Sequence, residues 1–69
     1  MRLNLIAWEK QNGFKAKCVA EKLGITEAQY SRIKSGKRDP SMIVVDRFFM
    51  VFGDTEGADD IYKLFVKSE

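Results

Sequence analysis

The stretch that decides the fold is FKAKCVAEKLGITEAQYSRIKSGKRDP, residues 14–40. It predicts two short helices joined by a tight turn, because Gly24 can adopt the left-handed backbone that ends a helix. Thr26 then stands at the N-cap of the second helix, where its hydroxyl can accept a backbone N–H. Apolar residues recur at helical spacing along one side of each helix. They are Val19, Ala20, Leu23, Tyr30 and Ile33.

The outward face of the second helix is polar, and its C-terminus leads into basic residues. The outward residues are Glu27, Ala28, Gln29, Ser31, Arg32 and Ser35, with Lys37 and Arg38 beyond the end of the helix. A short polar face followed by basic residues suits the major groove of DNA. We call the segment after the second helix, residues 36–40, the basic exit. Residues 27–38 carry four cations and one anion, which concentrates positive charge where phosphates would lie. Taken without the motif, an ordinary solvated surface explains this charge equally well.

Several features of this stretch occur in combination. Ala20 is a small residue in the first helix, and Gly24 is a turn glycine followed by the apolar Ile25. Residues 36–40 form a Gly-Lys-Arg-x-Pro segment after the second helix. In this combination the chain resembles the helix-turn-helix of the phage repressor and Cro family over about residues 3–53. The resemblance implies an all-α fold, a compact bundle of five short helices that binds operator DNA through its second motif helix, the recognition helix.

Length and composition indicate one domain spanning residues 1–69, since 45% of residues are hydrophobic and 32% charged. We predict a first helix over residues 2–12, the motif over about 16–35, and C-terminal helices over about 40–52 and 56–67. Asp39 is the expected cap of the fourth helix, and Pro40 its first residue.

Several function classes are disfavoured by composition. The chain has no histidine and one cysteine, Cys18, so we expect no metal, no cofactor and no internal disulfide. Enzymatic activity is not expected, because Cys18 has no histidine base and the adjacent Asp59 and Asp60 would point about 100° apart on a helix. No apolar run is long enough to span a bilayer and no signal peptide is visible, which predicts a cytoplasmic protein without membrane contact.

The family resemblance also implies how the first helix packs. Leu5 and Trp8 are expected in the core. A basic residue of this helix commonly pairs in the family with an acidic residue near the end of the recognition helix. The matching positions here hold Glu9 and Lys34, with the signs exchanged. We therefore predict a contact between them, the alternative being two unrelated surface charges.

The candidate DNA contacts follow from the recognition helix and its flanks. For base contacts we predict Glu27, Ala28 and Arg32, and for phosphate contacts Lys15, Lys17, Gln29, Ser31, Ser35, Lys37 and Arg38. The guanidinium of Arg32 matches guanine O6 and N7, although a phosphate contact is the alternative. Glu27 could accept from a cytosine amine or only favour the helix N-terminus. Ala16 stands where the family often has glutamine.

The last two helices contain more apolar residues than one buried face requires. We expect the fourth helix to be central and covered by its neighbours, the alternative being that part of it pairs with another chain. The candidate interface residues are Phe48, Phe49, Phe52, Tyr62 and Val66. A homodimer through them would place two recognition helices roughly 34 Å apart, one turn of DNA.

Two functional hypotheses remain open from the sequence. The first is a small phage-like transcriptional regulator that binds an operator in double-stranded DNA. The second is an antirepressor, or an antitoxin-type interaction module, that binds a partner repressor protein. Three features motivate the second hypothesis: Ala16 and Glu27 at expected DNA-reading positions, the net charge of only +2, and the surplus of hydrophobic residues over 48–52.

Overall fold

The computed structural model describes residues 1–67, which form five α-helices within 26 × 26 × 22 Å. The helices are α1 (Leu3–Gln11), α2 (Ala16–Leu23), α3 (Glu27–Ser35), α4 (Met42–Phe52) and α5 (Ile61–Phe65). The described residues contain no strand, and the predicted all-α bundle of five short helices is confirmed. None of these helices is both long and apolar enough to cross a membrane.

The turn between α2 and α3 is specified by its own residues. Gly24 ends α2 with φ 76°, and its N–H bonds to the carbonyls of Ala20 and Glu21. The positive φ is what favours glycine here, because a Cβ at Gly24 would meet only the guanidinium of Arg47, the mobile end of an exposed side chain. Thr26 then caps α3 as predicted.

The cap of α3 is a reciprocal one. The hydroxyl of Thr26 accepts the N–H of Gln29 at 3.1 Å, and the side-chain oxygen of Gln29 accepts the N–H of Thr26 at 2.9 Å. This capping box satisfies two backbone donors that the start of a helix otherwise leaves unpaired. The start and direction of α3 are therefore encoded locally.

The core, to which all five helices contribute, contains an aromatic cluster between α1 and α4. Trp8 is 1% exposed and lies 4.7 Å from Phe48 and 5.2 Å from Phe52, measured between ring centroids. Its indole N–H donates to the hydroxyl of Thr55 at 2.8 Å, so burial leaves no polar atom of the ring unpaired. Leu5 is fully buried beside this cluster, which confirms Leu5 and Trp8 as the core pair of α1.

The start of α4 differs from the prediction. Its N-cap is Ser41, whose hydroxyl accepts the N–H of Val44 at 3.2 Å, and the helix begins at Met42. Asp39 is not the cap, because its carboxylate bonds to the guanidinium of Arg2 at 2.7 Å instead. Pro40 accordingly precedes the helix. The helix ends at Phe52, as expected.

The last helix is shorter than the predicted 56–67. It begins at Ile61, with the carboxylate of Asp60 accepting the N–H of Lys63 at 3.3 Å, and ends at Phe65. Residues 53–60 form turns, and Gly57 has a φ of 88° that an α-helix cannot accommodate. The apolar spacing that suggested a longer helix thus comes partly from turns, in which Ala58 is buried.

The outer half of α4 is not covered, so the expectation of a central helix surrounded by its neighbours is wrong. Only Val44, Phe48 and Phe52 of this helix are buried, because their i, i+4, i+8 spacing forms a single stripe. The exposed apolar residues of the helix are Met42, Ile43, Phe49, Met50 and Val51.

Two of the five predicted interface residues are therefore corrected. Phe48 is 0% and Phe52 4% exposed, and both belong to the aromatic core. The other three, Phe49, Tyr62 and Val66, are exposed.

Candidate nucleic-acid interface

The exposed side of α3 carries the residues predicted for base contacts. Tyr30 and Ile33 point into the core, 1% and 3% exposed, which leaves the opposite side of the helix outward. Glu27, Ala28 and Arg32 are all exposed on that outward side. Because residues four apart are neighbours on one helix face, Ala28 and Arg32 form a short strip along it.

Arg32 is the outward cation of this helix. Its guanidinium makes no hydrogen bond or ion pair with any of residues 1–67. A free planar guanidinium with five N–H donors can bind guanine or phosphate bidentately. Glu27 lies in the first turn of the helix, where its carboxylate is favourable to the helix dipole whether or not a base is near.

The predicted phosphate contacts on α3 differ in how many donors they have free. Ser31 is exposed. Gln29 uses its side-chain oxygen in the capping box, which leaves its amide N–H groups for a ligand. Ser35 donates its hydroxyl proton to the carbonyl of Arg32 at 3.0 Å, so it has no proton left for a phosphate while that bond is made.

Exposed basic side chains lie before and after α3 along the chain. Lys15 and Lys17 are exposed at the start of α2, and Lys37 and Arg38 are exposed just after α3. The exit of α3 folds back on the helix, because the N–H groups of Lys37 and Arg38 both bond to the carbonyl of Arg32, at 3.0 and 3.2 Å. The basic exit therefore has a defined backbone course.

A helix-turn-helix family model matches residues 9–56, a segment that includes the whole of α2, α3 and α4. The chain belongs to the Cro/C1-type helix-turn-helix family. The resemblance to phage repressors and Cro is confirmed, and this is a family of DNA-binding transcription regulators rather than of enzymes. No curated protein and no solved structure matches the chain significantly.

The recognition helix of this helix-turn-helix is joined to α1 by three side chains, which we call the Glu9 network. The ammonium of Lys34 lies 3.2 Å from the carboxylate of Glu9, so the predicted contact is confirmed. The hydroxyl of Tyr30 donates to the same carboxylate at 2.7 Å. Burial, and then the adjacent Glu9 carboxylate, raise the pKa of Tyr30 well above its usual range.

A second group of contacts was not predicted. Arg2 is 2% exposed, and its guanidinium lies between the end of the recognition helix, the basic exit and α5. It bonds to the carboxylate of Asp39, which also lies 3.3 Å from the ammonium of Lys67. The hydrogen bonds from Arg2, followed by that from Lys67, lower the pKa of Asp39 below its usual range. We call these contacts the Arg2 network.

The close approach of the chain start to the recognition helix depends on Gly36. This residue ends α3 with φ 84°, and a Cβ at this position would lie 2.9 Å from the backbone nitrogen of Met1. The sequence alone indicates Gly36 only as part of the basic exit. An arginine ahead of an amphipathic helix has no periodic partner in the sequence, so no pattern pointed to Arg2.

Proposed function

We propose that the protein is a small phage-like transcriptional regulator that binds operator DNA through residues 27–38 and acts by occlusion. The observation that carries the proposal is the exposed face of α3, on which Arg32 is free among residues 1–67 while exposed basic side chains precede and follow the helix in the chain. In this arrangement Arg32 can bind one base edge bidentately, and several cations can bind the DNA phosphates on either side of it.

The roles along the helix follow from chemistry. Arg32 reads guanine through O6 and N7, and Ala28, one turn earlier, contacts a thymine methyl group. Glu27 accepts a hydrogen bond from a cytosine amine. These three residues are too few to specify a long site, so each half-site is short.

Contacts with the phosphate backbone of DNA supply most of the affinity for DNA. Lys15 and Lys17 reach one phosphate strand from α2, and Lys37 and Arg38 hold the strand beyond the end of α3. Ser31 and the amide group of Gln29 donate to phosphates between them. Ser35 donates to a phosphate only when its hydrogen bond to the carbonyl of Arg32 is broken.

We further propose that the regulator is a homodimer formed through α4 and α5. Phe49 is 63% and Tyr62 87% exposed, and Val66 lies beside Tyr62 along an apolar groove that is also lined by Val45, Ile61 and Phe65. Monomers rarely expose contiguous apolar patches of more than a few hundred Å². A twofold interface here would pair two recognition helices with the two halves of a palindromic operator.

The DNA proposal is tested by titrating the protein against the DNA upstream of its own gene at two salt concentrations. Arg32→Ala should weaken binding to the preferred site by about 1–3 kcal/mol while changing binding to unrelated DNA much less. Lys63→Ala is the matched control, because it removes one exposed cation from α5, away from the motif.

Equal loss of affinity from Arg32→Ala and Lys63→Ala would show that Arg32 does not read a base. If the wild type prefers no site and co-purifies with a larger repressor, the antirepressor hypothesis replaces the DNA-binding one. An adjacent gene for a small toxin would favour the antitoxin-type module.

The dimer is tested by sedimentation over a range of concentrations. Tyr62→Ala and Phe49→Ala should both shift the protein toward monomer, because they remove large apolar side chains from the proposed interface. Cys18→Ala, on the exposed side of α2, should leave the association constant unchanged. A wild type that remains monomeric at high concentration would exclude the dimer.

A further inference from the structure

We infer that Arg2 is a positioning residue for DNA binding, because it fixes the basic exit of the recognition helix and so directs Arg38 toward the phosphate backbone. The inference rests on the DNA binding proposed above. It gives a specific role to an arginine that is itself buried and cannot touch DNA.

The side chain of Arg2 makes four hydrogen bonds to three different segments. Nη1 donates to the carbonyl of Ile33 at 2.7 Å and to that of Arg38 at 3.2 Å. Nη2 donates to the carboxylate of Asp39 at 2.7 Å, and Nε to the carbonyl of Phe65 at 2.9 Å. Only a rigid fork with several donors can serve acceptors on α3, the exit and α5 at once.

The backbone of Arg2 adds a further bond to the same place. Its N–H donates to the carbonyl of Lys34 at 2.7 Å. The last carbonyls of a helix have no partner within the helix, and a positive charge beside them is favourable to the helix dipole. Arg2 therefore satisfies the end of the recognition helix with both its backbone and its guanidinium.

The consequence for DNA binding lies in Arg38, whose backbone is held on both sides. Its N–H bonds to the carbonyl of Arg32 at 3.2 Å, and its own carbonyl accepts from Arg2 at 3.2 Å. Holding both groups restricts the φ and ψ of Arg38 in a segment without regular structure. The direction in which its exposed side chain leaves the surface is thereby set.

A substitution of Asp39 tests the inference, because the two possible roles of this residue predict opposite changes in DNA affinity. Its carboxylate is 75% exposed beside the basic exit, where a negative charge repels phosphate. If Asp39 acted only through its charge, Asp39→Asn would tighten DNA binding. If it helps Arg2 to hold the exit, Asp39→Asn should weaken binding despite the gain in positive charge.

The main experiment is a double-mutant cycle measured by DNA titration. Arg2→Lys keeps the charge but cannot serve all four acceptors, so it should weaken binding by about threefold to tenfold in the wild-type background. In an Arg38→Ala background it should weaken binding by less than about twofold, since the side chain that it positions is absent. Equal losses in the two backgrounds would overturn the inference.

The matched control is Arg47→Lys. Arg47 also donates to the end of a helix, through Nη1 to the carbonyl of Leu23 at 3.4 Å, but it has no bond to the exit. It should leave DNA affinity nearly unchanged and show no coupling to Arg38→Ala. Should Arg2→Lys fail to fold, the sign of the Asp39→Asn effect decides, because the exposed Asp39 tolerates substitution.

Amide hydrogen exchange separates this inference from the proposed function. Arg2→Lys should speed exchange at the amides of Lys37 and Arg38 while leaving those of α2 protected. If the wild type binds no DNA but these amides respond, the proposed function fails and the positioning of the exit stands. If the wild type binds DNA and the amides do not respond, the positioning role is wrong.

Discussion

The aromatic core and the recognition helix are held by different kinds of interaction. The aromatic core contains three rings in tilted or edge-to-face contact, Trp8, Phe48 and Phe52, with centroids about 5 Å apart and one hydrogen bond at the edge. The recognition helix is held at its inner side and its end by two polar groups, the Glu9 network and the Arg2 network. The hydrophobic effect that buries the rings is non-directional, whereas hydrogen bonds fix both distance and angle.

This difference indicates a division of roles within a small domain. Burial of apolar side chains, aromatic and aliphatic, contributes most of the free energy of folding, which a domain of this size obtains from few residues. The polar networks contribute less to stability, because charged groups lose hydration when they pair. They set where α3 and its exit lie relative to α1 and α5, which is what a DNA-reading surface requires.

The largest effect on the free energy of unfolding should come from Phe48 of α4, and the adjacent Phe49 is the matched comparison. Phe48→Ala removes a ring that is 0% exposed and should lower the free energy of unfolding by about 3–5 kcal/mol. Phe49→Ala removes a ring that is 63% exposed and should lower it by no more than about 1 kcal/mol. Thermal unfolding followed by circular dichroism at low protein concentration measures both.

Similar losses from the two substitutions would mean that the core does not lie where Phe48 meets Trp8. A larger loss from Phe49→Ala at high concentration than at low would instead report the proposed dimer, since association stabilises the folded chain.

The sequence could not distinguish these two phenylalanines. The apolar residues of α4 cover so wide an arc that stripes through Val44 or through Val45 both have helical spacing. Which stripe is buried depends on where α1 and its Trp8 lie, and that is tertiary information. The turn between α2 and α3 was predictable for the opposite reason, since Gly24 and Thr26 act on their immediate neighbours.

The next largest effect on the free energy of unfolding should come from the Glu9 network. Glu9→Ala should lower the free energy of unfolding by about 1–3 kcal/mol, because it leaves the half-buried ammonium of Lys34 and the buried hydroxyl of Tyr30 without an acceptor. Lys34→Met in the same background should recover part of the loss. Urea unfolding of the two single variants and the double variant gives the coupling energy.

If Glu9→Ala costs less than about 0.5 kcal/mol, the Glu9 network does not hold α3 to α1. Family resemblance made the pair of Glu9 and Lys34 predictable, with the signs exchanged. The bond from Tyr30 was not predicted, because periodicity places a tyrosine inside without saying what its hydroxyl meets. Arg2 was missed entirely, since three of its four side-chain acceptors are backbone carbonyls that only the folded chain brings together with the carboxylate of Asp39.

A smaller, pH-dependent effect should come from Tyr30. Its folded pKa is raised by burial and then by Glu9, while the unfolded chain titrates near pH 10, so above about pH 10 the folded state retains a proton that the unfolded state loses. This contribution to stability is fully present below about pH 10 and declines above it by up to about 1.4 kcal/mol per pH unit. Comparing the urea unfolding of wild type and Tyr30→Phe between about pH 9 and pH 11 should show this slope in the wild type alone.

The smallest effect should come from Asp39 in the Arg2 network, on the acid side. Hydrogen bonds from Arg2 and then from Lys67 lower its folded pKa below the unfolded value near 3.9, so its contribution is present above about pH 4 and is lost as the pH falls through the folded pKa. The stability difference between wild type and Asp39→Asn should therefore shrink from about pH 5 to about pH 3. It should remain smaller than the effect of Tyr30, because the Asp39 carboxylate is 75% exposed and water screens its contacts. A difference that is constant over this range would mean that Asp39 is not held by Arg2 in solution. In that case Arg2 would hold the end of the recognition helix through the carbonyls of Ile33 and Lys34 without help from Asp39.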